Sequence, residues 1–174
     1  MNEQAVIERA KQGDEHAWRW LHERHHPHVQ SVVRRIVGNS HTVEDICQEV
    51  WYRVVAKIDL FEFRSSFKTW MTKVASNVAY NCVRTVDRAE AIDPDAVAQE
   101  PVGRVEDAAL DWIVVQEALD RLPSGYRTVL VMRSQGFSHD EIAETLGIDP
   151  GTSRSQYHKG LAALRSLLGY ASKS

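Results

Sequence analysis

The sequence predicts an all-α protein of two small helical domains, the second a four-helix domain with a helix-turn-helix, joined by an acidic flexible linker. Three observations predict it. Apolar residues recur at helical spacing through most of the chain. Caps and stop signals divide that pattern into helices. A segment of 88–104 breaks it, with Pro94, Pro101 and Gly103 among acids and alanines and no sustained apolar stripe. The expected division is 1–87, a linker at 88–104, and 105–174.

The first helix is expected over 3–12, ended by Gly13. Asp14 then caps a long helix to about 37, with Ala17, Trp18, Leu21, Val29, Val32, Val33 and Ile36 apolar and a kink at Pro27. Gly38-Asn39-Ser40 stops it. Thr42 caps a helix to about 58, whose apolar face is read as Val43, Ile46, Cys47, Val50, Trp51, Val54 and Val55. A fourth helix is expected from 65 or 66 to 83, with Phe67, Trp70, Met71, Val74, Ala75 and Val78 inward.

In the second half, helices are expected at 106–121 and 124–134. Ser138-His139-Asp140-Glu141 reads as a capping box. The short helix it starts carries Ile142, Ala143 and Leu146 inward, and Ala143 is small enough for a close crossing. Gly147 supplies a left-handed turn and Ile148 the corner. Asp149-Pro150 opens the last helix, whose core positions are read as Tyr157, Leu161, Leu164 and Leu168. This is a helix-turn-helix, a motif whose second helix enters the major groove of DNA. The opposite face of that helix offers Thr152, Arg154, Ser155, His158 and Lys159. Arginine there can engage guanine O6 and N7 together.

Charge distribution agrees with a nucleic-acid partner, although the chain's net charge is −3. Residues 64–87 hold Arg64, Lys68, Lys73 and Arg84 against Asp87, and 151–174 hold four basic residues and no acid. The stretch between, 88–120, has nine acids against two arginines. Basic surfaces can offset phosphate charge even in an acidic chain. The fourth helix presents Thr69, Lys73, Ser76, Asn77, Tyr80 and Arg84 along one polar stripe, suited to bases and phosphates or simply to water. The loop before it, with Phe61, Phe63 and Arg64, can hold an unstacked base or close the core.

No apolar run approaches the roughly 20 residues a membrane span needs, and the polar N-terminus predicts a cytoplasmic protein. Two cysteines, Cys47 and Cys82, make no disulfide framework and are read as small buried residues. No phosphate-binding glycine loop or metalloprotease helix is present, so no catalytic residue, cofactor or metal is expected. His22, His25, His26 and His28 form an exposed polar face or, as the lesser alternative, a metal site.

Taken together, these residues resemble the extracytoplasmic-function group of bacterial RNA polymerase sigma factors. Asp45-Ile46-Cys47-Gln48-Glu49-Val50-Trp51 is similar to that family's polymerase-docking helix. Ser66-Phe67-Lys68-Thr69-Trp70-Met71 through Ala75-Ser76-Asn77 is similar to its minus-ten helix. Leu119-Asp120-Arg121-Leu122-Pro123 with Tyr126-Arg127 is similar to the start of its second domain, and 138–155 to its helix-turn-helix. The resemblance implies a non-catalytic factor that binds core RNA polymerase, at the clamp coiled coil and the flap, and helps open promoters. Asp45, Gln48 and Glu49 would meet polymerase. Asn77 and the 61–66 loop would hold a flipped base of the melted minus-ten element. The helix-turn-helix residues would contact the minus-thirty-five duplex, and the acidic linker would thread the polymerase channels. An anti-sigma factor is the expected regulator. Phe63 stands where the family often has glycine, Ser153 where it has an aliphatic residue and Gln156 where it has a basic one. The competing reading is a free-standing helix-turn-helix regulator of duplex DNA, which leaves the Asp45–Glu49 helix unexplained.

Overall fold

The computed structural model describes residues 2–38, 42–89 and 112–169, and every regular element among them is helical. The elements are α1 (Glu3–Lys11), α2 (Glu15–Val37), α3 (Val43–Lys57), a single 3-10 turn (Ile58–Leu60), α4 (Phe67–Ala89), α5 (Trp112–Asp120), α6 (Ser124–Ser134), α7 (His139–Leu146) and α8 (Pro150–Leu167). Most of the expected linker, and the expected helix turn at 106–111, lie outside the described residues.

Local chemistry sets most of the boundaries. Asp14 Oδ1 accepts from the amides of His16 at 2.9 Å and Ala17 at 3.2 Å, satisfying donors that the first turn leaves open. The capping box is complete: Ser138 Oγ accepts from the Glu141 amide at 3.2 Å, and the Ser138 amide donates to Glu141 Oε2 at 3.0 Å. Gly147 ends α7 with φ at 66°, the left-handed conformation that glycine adopts without penalty. Asp149 caps α8 and Pro150 occupies its first turn. α2 runs to Val37 as expected, with Pro27 inside it at the cost of one backbone hydrogen bond. α4 differs from expectation: it runs past Val83 to Ala89, into the segment expected to be linker.

α1 to α4 enclose one core, in which Leu21, Val33, Ile36, Cys47, Val50, Val54, Met71 and Ala75 are fully buried. Val55, expected inward, is 53% exposed. The helical period carries it past the buried stripe that Val50 and Val54 define. α5, α6 and α8 form a second cluster around Leu119, Leu122, Tyr126, Leu130 and Leu167. Gly160 permits that packing: a Cβ there would lie 3.0 Å from Tyr126 Cβ and 3.2 Å from Leu130 Cδ1. α6 and α8 thus approach closely at Gly160, a position not singled out in the sequence.

The two halves are in contact. Val131 of α6 belongs to the N-terminal core, while Tyr80 of α4 joins Val129, Met132, Phe137, Ile142 and Leu146 in a third cluster. A polar seam runs alongside. Gly38 abuts the Asp120 carboxylate so closely that a Cβ would lie 2.9 Å from Oδ1. Arg127, almost buried, lies 3.6 Å from the same carboxylate. Burial lowers the Arg127 pKa, and Asp120 and Asp87 oppose that shift.

Candidate nucleic-acid and polymerase interfaces

Three surfaces correspond to the three groups of residues singled out in the sequence. The first is the outer face of α3. Asp45, Gln48 and Glu49 are all exposed, spaced to share one face. Glu49 is steadied by Arg53 at 2.7 Å. Tyr52, 72% exposed, stands at the next helical position along this stripe and was not singled out from the sequence. The signal was present: an aromatic on a polar face, one turn from Gln48.

The second surface is the 61–66 loop with α4. Phe61 is buried at 3% exposure and meets Phe63, Phe67 and Trp70 in tilted or edge-on contacts at centroid distances of 4.9, 5.4 and 5.4 Å. Phe61 therefore closes the core, the plainer of the two roles open to it. Phe63 is half-buried with φ at 59°, the left-handed region that penalises a side chain. This accounts physically for a glycine preference at such a position. Lys11 of α1 holds the loop: its Nζ donates to the Phe61 carbonyl at 2.9 Å and lies 4.9 Å from the Phe63 ring centroid. Arg64 is exposed beside Glu62, and Ser66 bonds the Thr69 amide at 3.0 Å, which caps α4.

The polar stripe of α4 is not an open face. Thr69 and Arg84 are partly exposed, and Arg84 lies over the Tyr80 ring at 5.5 Å. Lys73 pairs with Glu141 of α7 at 3.2 Å and lies 5.7 Å from the Phe137 ring centroid. Asn77 Nδ2 donates to the Thr145 carbonyl at 2.5 Å. Ser76 is fully buried with no hydrogen-bond partner for its hydroxyl, and Tyr80 is 6% exposed. The sequence predicts an exposed stripe because periodicity separates polar from apolar positions, not solvent from a second polar-tolerant surface.

The third surface is the helix-turn-helix. Thr152, Arg154, Ser155, His158 and Lys159 are all exposed on α8. Ser153 is fully buried and bonds His139 Nδ1 at 2.9 Å, tying α7 to α8. A hydroxyl thus fills an inward position by finding a partner across the motif. Burial lowers the pKa of His139, and Arg133, Arg154 and His158 lower it further against the opposing Asp140. The exposed Arg154 and Lys159 on α8 are suited to phosphates.

The histidines of α2 serve separate purposes. His22 stacks on His26 at 4.7 Å and meets Trp51 at 4.8 Å. His25 is buried against Glu3 at 2.9 Å, and His28 bonds Thr72 at 2.8 Å. The expected exposed face therefore holds for His22 and not for His25. Among the described residues no three His, Cys, Asp or Glu are grouped to hold a metal. Cys47 is buried, its thiol pushed up to about 11 by burial, whereas Cys82 is only partly covered. No helix among the described residues is long and apolar enough to cross a membrane.

Comparison with known proteins bears on these surfaces. The Sigma-70 region 2 family matches residues 21–89, and the Sigma-70 region 4 family matches 113–164. The chain is 28% identical to the ECF RNA polymerase sigma factor SigW of Bacillus subtilis, over 93% of this chain and 94% of that one. It is 29% identical to the ECF RNA polymerase sigma-E factor of Escherichia coli K12, over 94% and 93%. It is 34% identical to the ECF sigma factor SigE of Mycolicibacterium smegmatis, over 87% of this chain and 62% of the longer relative. Among solved structures, the fold resembles the sigma factor RpoE of Bartonella quintana in complex with the anti-sigma factor NepR, with TM-score 0.63, 22% identity and coverage of 87% and 96%. It also resembles CnrH in complex with the cytosolic domain of CnrY, with TM-score 0.61, 21% identity and coverage of 98% and 99%. With both sigma-70 regions matched in order over well more than half its length, the chain belongs to the extracytoplasmic-function group of RNA polymerase sigma factors.

Proposed function

We propose that the protein is an alternative sigma factor that binds core RNA polymerase, directs it to its own set of promoters and helps open them. The observation that carries this reading is the joint presence, on one chain, of an exposed acidic α3 face and an exposed basic helix-turn-helix. A free-standing regulator needs only the second. Asp45, Gln48 and Glu49, with Tyr52 among them, form the polymerase-docking face. Charge there steers encounter with basic residues, and the aromatic supplies apolar contact.

The 61–66 loop and the partly exposed α4 residues Thr69, Lys73, Asn77 and Arg84 read the melted minus-ten strand, while the buried Ser76 and Tyr80 support that helix from within. Phe63 and Arg64, at the rim, are placed to meet an extruded base, while Phe61 acts from beneath by fixing the loop. Thr152, Arg154, Ser155, His158 and Lys159 contact the minus-thirty-five duplex, where arginine gives base discrimination and lysine phosphate affinity. The factor works without catalysis of its own, in the cytoplasm where the polymerase acts. Its regulator is an anti-sigma factor, as in the complexes whose folds it resembles.

The test is complex formation with purified core polymerase. Asp45→Arg reverses a charge at the docking face, and Gln48→Ala removes its neighbour's hydrogen bonds. Both are exposed, so both variants should fold. Binding at least about tenfold weaker for Asp45→Arg, equivalent to roughly 1.4 kcal/mol, is expected. A folded parent chain that fails to bind core would transfer the assignment to a regulator of duplex DNA.

A further inference from the structure

We propose that His139, the first residue of α7, is a further promoter-contacting residue: Ser153 holds its imidazole so that Nε2 donates to a backbone phosphate of the minus-thirty-five duplex, and the contact strengthens when the ring takes up a proton. The inference rests on the minus-thirty-five reading of α8 and deepens it, adding a residue on the neighbouring helix. Two observations carry it. The Ser153 hydroxyl, fully buried, lies 2.9 Å from His139 Nδ1, and among the described residues neither side chain has another hydrogen-bond partner. His139 itself is partly exposed, and it lies close enough to Arg154 and His158, both read as duplex-facing, for their charges to act on it.

The pairing fixes which edge of the ring is offered. A buried hydroxyl needs a partner, and an aliphatic side chain at 153 would give Nδ1 none. When the ring is neutral, Ser153 donates to Nδ1, which places the ring proton on Nε2. When the ring is charged, Nδ1 donates to Ser153 Oγ, and Nε2 still carries a proton. In both states the opposite edge of the imidazole is a donor. The Tyr157 ring flanks it edge-on at a centroid distance of 5.6 Å. In helix-turn-helix docking the second helix lies in the groove while the first crosses the backbone. A donor at the start of α7 therefore meets phosphate rather than a base edge.

The surroundings make the contact proton-dependent. Burial opposes a charge on His139, as do Arg133 of α6 and Arg154 and His158 of α8, while Asp140 of α7 favours it. Lys73 of α4, which also faces α7, is paired with Glu141 at 3.2 Å. In the free protein the ring is thus held below the usual histidine range and is neutral near pH 7. A phosphate beside Nε2 supplies the missing anion, which favours the charged ring and makes a charge-assisted hydrogen bond. Binding then takes up a proton, so acid strengthens it. The gain is absent well above the pKa of the bound form and grows as pH falls toward that of the free form.

The experiment reconstitutes holoenzyme from core polymerase and the full chain. It measures affinity for a duplex that the parent holoenzyme selects from a randomised pool, between about pH 7.5 and about pH 6. Core polymerase titrates as well, so the reading is the ratio of parent to variant at each pH. His139→Gln keeps a neutral donor near the place of Nε2 but cannot titrate. Its binding is expected to be roughly twofold weaker at the upper pH and roughly tenfold weaker at the lower. Ser153→Ala, which frees the ring, should also weaken binding, yet add nothing once His139 is replaced. A ratio for His139→Gln that stays constant with pH overturns the proposal. So does a Ser153→Ala loss that persists undiminished beside His139→Gln, or a pH trend that only His158→Gln removes. Arg154→Ala tests the reading of α8 alone. If it binds like the parent while His139→Gln shows the pH-dependent loss, the reading of α8 fails and the His139 contact stands. If Arg154→Ala weakens binding at every pH while His139→Gln changes nothing, the reading stands and the contact fails.

Discussion

Lys11 is the residue whose removal tests how the 61–66 loop is held. Its ammonium donates to the Phe61 carbonyl at 2.9 Å, lies 4.9 Å from the Phe63 ring centroid and is only 18% exposed. A hydrogen bond from a charged donor contributes about 1.5–3 kcal/mol. A cation over an aromatic face adds about 0.5–1 kcal/mol. The further pair with Glu8, at 3.4 Å and half-exposed on the acid, adds little. Lys11→Met keeps the apolar stem and its packing, so the charged contacts alone are lost. The expected cost is about 2 kcal/mol, since part of the charged group's interaction is recovered from water. The consequence reaches the site because Phe63 holds a φ of 59°, a conformation that costs roughly 1–2 kcal/mol and persists only while its surroundings impose it. Without the clamp the loop relaxes. Urea unfolding, with a slope near ~2 kcal/mol per molar for a chain of this size, should show a midpoint about 1 M lower. Capture of pre-melted minus-ten DNA should fall while binding to core polymerase is kept. A midpoint within about 0.2 M of the parent, with undiminished capture, would refute the clamp.

Two other outcomes are expected. Gly160→Ala gains about 1 kcal/mol of helix propensity, but forces a Cβ to 3.0 Å from the rigid Tyr126 Cβ and costs about 1–3 kcal/mol in overpacking; thermal melting should show net destabilisation of about 1 kcal/mol, and a stabilised variant would show that α6 and α8 have room to separate. Stability should fall with acid over a defined window: burial pushes His28 down to about 4, so the folded chain keeps this ring neutral while the unfolded chain protonates it near 6.5, and burial lowers His25 and His22 in the same direction. The unfolded state then binds more protons as pH drops from about 6.5 to about 4, and stability is lost across that range. Urea midpoints at several pH values check it, and His28→Asn should flatten the slope.

The helices were legible because their signals are local. Asp14, the Ser138–Glu141 box, Gly147 and Asp149-Pro150 act within a turn of the backbone they cap, so sequence spacing alone defines them. The outer faces of α3 and α8 were legible for the same reason. Their residues share a stripe whatever surrounds the helix, and both stripes are exposed. Val55 was misplaced because a wide apolar stripe does not mark its own edge.

The sequence by itself determined an all-α chain, its order of helices, its helix-turn-helix and the residues offered on α3 and α8. What only the tertiary structure decided is which surfaces meet. Lys73 with Glu141, Asn77 with Thr145 and Lys11 with Phe61 are each separated by 50 residues or more. No periodicity links such positions, because a period describes the environment of one helix and not the identity of what packs against it. The same reason explains Ser76 and Tyr80. Polar residues on a polar stripe read as solvent-facing until a second surface with matching groups covers them.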